Sequence, residues 1–393
     1  MDAKKAKIAE KNNLRELRLS WERNALSKLK EEVDERVLEA LEPHPNLECL
    51  YIQGFRGRYL PCWIENSTLR KIVEIHITDC ENIRHFSKLG ELPHLENLFL
   101  KNVGVEYIIE EEEVGSGHPV KILFVALKKL VLIDLPNLKG FSKEQQSSKE
   151  AFTILEILNI KRCSSLVLPS LSSLGKLMWL ACRSSDLALL SELDILSHLS
   201  IEIEENLTCF PIEALKKFSK LRSLTIENAK EISFTREGME ALKELTSLCL
   251  QSCRTMRCLS EGMLRHLTAL EDLNIWNCPE LPELPKGIKH LHNLKSLMLF
   301  ALHKITRLPQ AFQRLTDLYL HDLPELESLP DHLPSLYRLT VMNCPKVVSI
   351  PDMPNLKELR VTGCPQLERR CQRGTGEDWH KISHVRNIYN FSK

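Results

Sequence analysis

One unit recurs along this chain, and its spacing constrains the fold more than any other property. In the second half it reads LRSLTIENAKEI from Leu221, LTSLCLQSCRTMRCL from Leu245, LEDLNIWNCPELPELP from Leu270 and LKSLMLFALHKITRLP from Leu294. It continues as LTDLYLHDLPELESLP from Leu315, LYRLTVMNCPKVVSIP from Leu336 and LKELRVTGCPQL from Leu356. The first leucines are 24, 25, 24, 21, 21 and 20 residues apart. Pattern and period are those of leucine-rich repeats. Each unit is a short strand, a turn and a return segment, and it buries its apolar side only by stacking on its neighbours. Side chains alternate across a strand, so the leucines point inward and the residues between them face solvent. The expected fold is an α/β leucine-rich-repeat solenoid, a curved horseshoe with a parallel concave sheet and an irregular or short-helical convex side. One continuous core then replaces the two or three domains that the length alone suggests.

The first half carries the unit less regularly, at Leu14, Leu47, Ile72, Leu95, Leu127 and Leu155, with weaker units near Leu174 and Leu196. About fifteen repeats over residues 14–371 result, preceded by a polar lead (1–13) and followed by a cap (372–393). Leu26, Leu29, Val33, Val37, Leu38 and Leu41 fall at helical spacing and predict a helix with that face inward. Polar inserts near 106–119 and 142–150 read as mobile loops. In the cap, Trp379, Ile382, Val385 and Ile388 are at roughly helical spacing.

Cysteine recurs at one template position, as Cys80, Cys163, Cys253, Cys278, Cys344 and Cys364. A small residue there suits a chain that turns inward, and a thiol can bond weakly to backbone. A metal site would need ligands that converge, whereas these lie one repeat apart. The opening residues lack an apolar secretory core, so the 13 cysteines read as reduced thiols of a cytoplasmic, or nuclear, protein. The 53 basic and 53 acidic residues cancel, which disfavours a nucleic-acid partner, and no apolar run is long enough to span a membrane.

Several segments resemble a specific family. VLEALEPHPNLECLYIQGFRGRYLPCWI (37–64), CENIRHFSKLGELPHLENLFL (80–100), LPSLSSLGKL (168–177) and CPQLERRCQRGTGEDWHKISHV (364–385) resemble the repeat region of plant nucleotide-binding leucine-rich-repeat disease-resistance proteins of the coiled-coil class. The tail is the most specific, because Gly-Glu-Asp-Trp-His-Lys-Ile (376–382) is not demanded by repeat geometry. The resemblance implies a receptor with a signalling coiled coil, a nucleotide-binding switch, and these repeats as sensor and brake. Implied partners are a pathogen effector or host guardee, and the receptor's own nucleotide-binding and coiled-coil domains. No G-x-x-x-x-G-K-[ST] occurs, so no cofactor is expected here, and ADP or ATP belongs to the absent nucleotide-binding domain.

Catalysis has little support: the 14 histidines are scattered, and neither H-E-x-x-H nor G-x-S-x-G is present. A binding surface reads better. The third outward column of four successive units is Trp276, Phe300, His321, Met342, and the second is Asn274, Met298, Tyr319, Thr340. An apolar, aromatic ladder of this kind is typical of protein contacts. Trp276, Phe300, His321, Met342, Met298 and Tyr319 are therefore the candidate partner-binding residues. The glutamate run at 110–113 and the basic Arg369, Arg370 and Arg373 read as solvated. Two other binder classes remain: a ubiquitin-ligase substrate adaptor, which calls for an upstream F-box-like domain, and an extracellular ectodomain, which calls for paired-cysteine caps.

Overall fold

The computed structural model describes residues 3–22, 28–65, 68–84, 86, 88–109, 123–143, 152–168, 174, 176–185, 195–204, 215, 218, 220–230, 242–259, 264–310 and 312–389. They form two compact units, Met1–Cys182 with Ala188–Leu196, and Arg183–Leu187 with Ser197–Lys393. Each is a parallel-sheet repeat stack.

Unit one orders its strands β1 (Glu16–Ser20), β2 (Cys49–Gln53), β3 (Glu74–Cys80), β4 (Asn97–Val103), β6 (Lys129–Ile133), β8 (Ile157–Lys161) and β9 (Trp179–Arg183). Unit two orders β10 (His198–Glu202), β11 (Ser223–Glu227), β12 (Ser247–Gln251), β13 (Asp272–Trp276), β14 (Ser296–Phe300), β15 (Asp317–His321), β16 (Arg338–Met342), β17 (Glu358–Thr362) and β18 (Asn387–Tyr389). Neighbouring strands pair in parallel without register slip, as in Leu273↔Leu297, Leu297↔Leu318 and Leu318↔Leu339. The cause is the period of two: a slip of one residue would turn every leucine to solvent. On β13, Leu273 and Ile275 are buried, whereas Asp272, Asn274 and Trp276 stay on the outer face.

In the six cysteine-bearing repeats, the turn at the strand end is made by the residue before the cysteine rather than by the cysteine itself. Asp79, Arg162, Ser252, Asn277 and Asn343 all have φ between 53° and 56°, and Gly363 has φ 69°. That left-handed conformation is tolerated best by Asn, Asp and Gly. At 363 the residue is glycine, and a Cβ there would lie 2.4 Å from Asn343 Oδ1, so a side chain would need that amide to move. The cysteines come next and point into the core. Each thiol donates to the carbonyl two residues back: Cys80 to Thr78 at 3.2 Å, Cys278 to Trp276 at 3.4 Å, Cys344 to Met342 at 3.3 Å. Burial pushes the Cys80 thiol up to about 12, so it stays protonated and unreactive at neutral pH.

Three expectations change. Helix α1 (Lys28–Glu39) is present, but the side turned inward carries Asp34 and Leu38, with Asp34 6% exposed and Val33 54% exposed. Arg56 Nε donates to Asp34 Oδ2 at 2.7 Å, a charge-assisted bond that lets Asp34 share the inward side with Leu38 while Val37 and Leu41 are half-buried. Leu26 and the Leu29 side chain lie outside the described residues. The insert near 106–119 does not begin as a loop: β5 (Tyr107–Ile109) pairs in parallel with β7 (Gly140–Ser142), burying Ile108, Ile109 and Phe141. Residues 110–122 and 144–151, including the glutamate run, lie outside the described residues.

The third change is in the cap, where Arg370 is not a solvated charge. At the end of helix α2 (Pro365–Arg370), Arg370 Nε donates to Asp378 Oδ2 at 3.0 Å and Lys381 Nζ lies 2.9 Å from Asp378 Oδ1. Asp378 is 1% exposed. Burial raises its pKa, but the hydrogen bonds from Arg370 and Lys381 prevail and hold the carboxyl below its ordinary value. A Cβ on Gly376 would lie 2.1 Å from the Arg370 carbonyl oxygen, so the tail motif is a lock that brackets Arg370. The chain then passes through helix α3 (Trp379–Ile382) into β18, a further strand on the sheet rather than one long helix.

Candidate functional site

The outer face of β13–β16 in unit two carries all six candidate residues. Trp276↔Phe300, Phe300↔His321 and His321↔Met342 are direct register partners, as are Met298↔Tyr319 one column over. Alternation sends them outward, because their neighbours Ile275, Leu299, Leu320 and Val341 all point into the core.

Within the column the rings touch. The Trp276 and Phe300 centroids are 6.5 Å apart at 59°, and Phe300 stacks on His321 at 4.7 Å and 13°. Trp276 and Phe300 keep 38% and 39% of their surface exposed, while Met298, Tyr319, His321 and Met342 are half-buried. Among the described residues, the Trp276 indole N–H meets no protein acceptor. His321 is held as a ring in a stack, and its Nδ1 is shielded with no partner. It has no carboxylate to orient it, so it is arranged as packing surface rather than as a base.

Below the ladder, Arg338 ties the first and second columns together. Its Nη1 donates to Asp317 Oδ1 at 2.8 Å and to the Tyr319 hydroxyl at 3.0 Å, and its Nε donates to Glu358 Oε2 at 2.7 Å. The bond to Glu358 raises the Arg338 pKa above its ordinary value and lowers that of Glu358. Tyr319 is thus a clamped ring, unlike Trp276 or Phe300.

A second ladder, in unit one, went unread in the sequence. Arg18, Tyr51, His76 and Phe99 are register partners on β1–β4. The Arg18 guanidinium lies 3.9 Å over the Tyr51 ring, Tyr51 and His76 are 4.7 Å apart, and His76 stacks on Phe99 at 4.9 Å and 15°. The Tyr51 hydroxyl donates to Glu74 Oε1 at 3.0 Å, and His76 Nε2 lies 2.6 Å from the same oxygen. The signal that finds it is the same alternation in LRELRL, LECLYI and IVEIHI, extended into the irregular repeats. Among the described residues no group of three metal-ligating side chains converges, and no helix is long and apolar enough to cross a membrane.

Two family models match. That of R13L1/DRL21 leucine-rich repeats covers residues 1–103, and that of leucine-rich repeats of plant disease resistance protein RPS2-like sequences covers residues 60–183. Putative disease resistance protein RGA4 of Solanum bulbocastanum is 31% identical over 98% of this chain and 32% of its own length. Putative disease resistance protein RGA1 of the same species is 38% identical over 59% of this chain and 23% of its length. The chain therefore spans about a third of those relatives or less. Among solved structures, TLR13 in its ssRNA13 complex superposes with a TM-score of 0.53 over 90% of this chain and 51% of that one. At 19% identity this likeness concerns the repeat fold alone.

Proposed function

We propose, for a chain that belongs to the leucine-rich-repeat regions of plant disease-resistance proteins, that the outer face of β13–β16 is the protein-contacting surface of an immune receptor. The observation that carries this reading is the Trp276–Phe300 pair, two large adjacent rings each left more than a third exposed. Contiguous exposed apolar surface of this kind marks interaction sites, and Trp is among the commonest interface anchors. A formal net charge of zero favours a protein partner over a nucleic acid. In this reading the partner is a pathogen effector or host protein in the cytoplasm, or the receptor's own nucleotide-binding and coiled-coil portion held at rest. ADP and ATP chemistry then belongs to that portion, and the repeats act by contact rather than catalysis.

The test offers the immobilised chain the part of putative disease resistance protein RGA4 that lies outside its matching repeats, about two thirds of that protein. Trp276→Ala and Phe300→Ala should each weaken capture roughly thirtyfold. Equal capture by wild type and both variants, with the fold intact, would discard this surface.

A further inference from the structure

We infer that the ladder continues, three strands away, into a subsite for a carboxylate side chain of the bound protein, centred on Arg360. The inference rests on the reading of the ladder given above and specifies the chemistry of what binds there. On the outer face of β15–β18 a hollow of about 330 Å³ is lined by Tyr319, Arg338, Thr340, Glu358, Arg360 and Tyr389, with Leu339 and Leu359 also on its wall. Thr340, Arg360 and Tyr389 are register partners in the same second column as Met298 and Tyr319. Hollow and ladder are thus one continuous surface.

The inventory of donors and acceptors identifies the occupant. Glu358, the one carboxylate on the wall, is bound by Arg338 at 2.7 Å, and Arg338 in turn is occupied by Asp317 and Tyr319. That pair of carboxylates and its shared guanidinium form a closed network that leaves Arg338 little to offer. Arg360 is different. Its guanidinium lies 5.4 Å over the Tyr389 ring, and among the described residues it has neither a carboxylate within 4.0 Å nor a hydrogen-bond acceptor. The Thr340 and Tyr389 hydroxyls likewise have no protein partner among the described residues. Three donors converge on one hollow whose acidic wall is already bound. A planar guanidinium with free N–H groups matches a carboxylate two-to-two, and Tyr389 fixes its plane.

Strand spacing sets the ruler. Arg360 on β17 and Met298 or Phe300 on β14 are three strand spacings apart, about 15 Å. A segment crossing the strands in extended form covers that in about four or five residues. The partner presents an aromatic or large aliphatic side chain to Trp276, Phe300 and Met298, and an Asp or Glu about four or five residues away to Arg360.

The test uses the full chain as bait for a random dodecapeptide phage library, with parallel selections on Arg360→Gln and on the Trp276→Ala/Phe300→Ala double variant. Wild type should enrich peptides that pair a large apolar residue with an acid at that spacing. Arg360→Gln should keep the apolar preference and lose the acid, and a wild-type peptide should bind it about tenfold more weakly by fluorescence anisotropy. Changing the peptide's own acid to its amide should weaken binding to wild type by the same factor and leave binding to Arg360→Gln unchanged. Ladder-dependent peptides without an acid preference, or an acid whose loss Arg360→Gln still feels, would overturn the subsite and leave the ladder reading standing. A library that yields no ladder-dependent peptide would overturn both.

Discussion

The two ladders occupy the same kind of surface and differ in what their rings are tied to. In unit one, Glu74 lies within hydrogen-bond distance of Tyr51 and His76, and Arg18 covers the end of the stack. The polar ends of those rings are answered within the protein. In unit two, among the described residues, the Phe300 ring packs against Trp276 and stacks on His321, and the Trp276 indole N–H has no hydrogen-bond partner. Repeat geometry alone therefore does not make an aromatic column a contact surface. The distinguishing property is whether the column is already satisfied.

Four measurements would break or sharpen that contrast. The largest effect is on the inner side of the same strand: Leu273→Ala should lower the free energy of chemical unfolding by about 2–5 kcal/mol, through lost burial and a cavity. Trp276→Ala and Phe300→Ala should each lower it by less than about 1 kcal/mol, since those side chains are not core. A melt of either variant resembling that of Leu273→Ala would make the ladder structural.

Next in size is the binding contrast. Against a partner captured by unit two, Phe300→Ala should cost about 2 kcal/mol, whereas Phe99→Ala should cost a few tenths at most. Equal losses by titration calorimetry would erase the distinction between the ladders.

Smaller is the effect of untying unit one. Burial, and then the bond to Glu74, holds the Tyr51 hydroxyl above its ordinary pKa. Glu74→Gln should move it downward in an ultraviolet titration and cost about 1 kcal/mol of stability. An unmoved Tyr51 would mean that its ring is no more engaged than Phe300.

The smallest effect should be the acid response of unit two's cap. The Asp378 carboxyl is depressed in the folded chain, so its contribution is complete above the unfolded carboxylate value. It is lost as pH falls from there through the folded value. Fluorescence of Trp379 should report loosening of the cap in that acid window, and Asp378→Asn should remove the pH dependence. A response unchanged by Asp378→Asn would assign it elsewhere.

What could be read beforehand follows from where the information is local. The strands were legible because each leucine pair lies within five residues and its burial depends only on alternation. The six residues of the unit-two ladder were legible for the same reason. Unit one's ladder was hidden by spacing: its first units are 33, 25, 23, 32 and 28 residues apart, so the columns do not align by eye. The orientation of α1 was not legible, because Asp34 turns inward to meet Arg56, 22 residues away. The Asp378 lock was visible as an unexplained motif and became intelligible only once Arg370 was placed beside it.

The left-handed turns also bear on how such a protein can change over generations. A Cβ at Gly363 would lie 2.4 Å from Asn343 Oδ1, so a side chain there would need the amide of the preceding repeat to move. The repeats of Asn343 and Gly363 are therefore matched to one another at their turns. Recombination that exchanged the Gly363 repeat for one with a bulkier turn residue would require that amide to move, whereas exchange carrying both turns together would leave it in place. At this junction the module exchanged at least cost is thus two repeats rather than one, and its outward columns should move together.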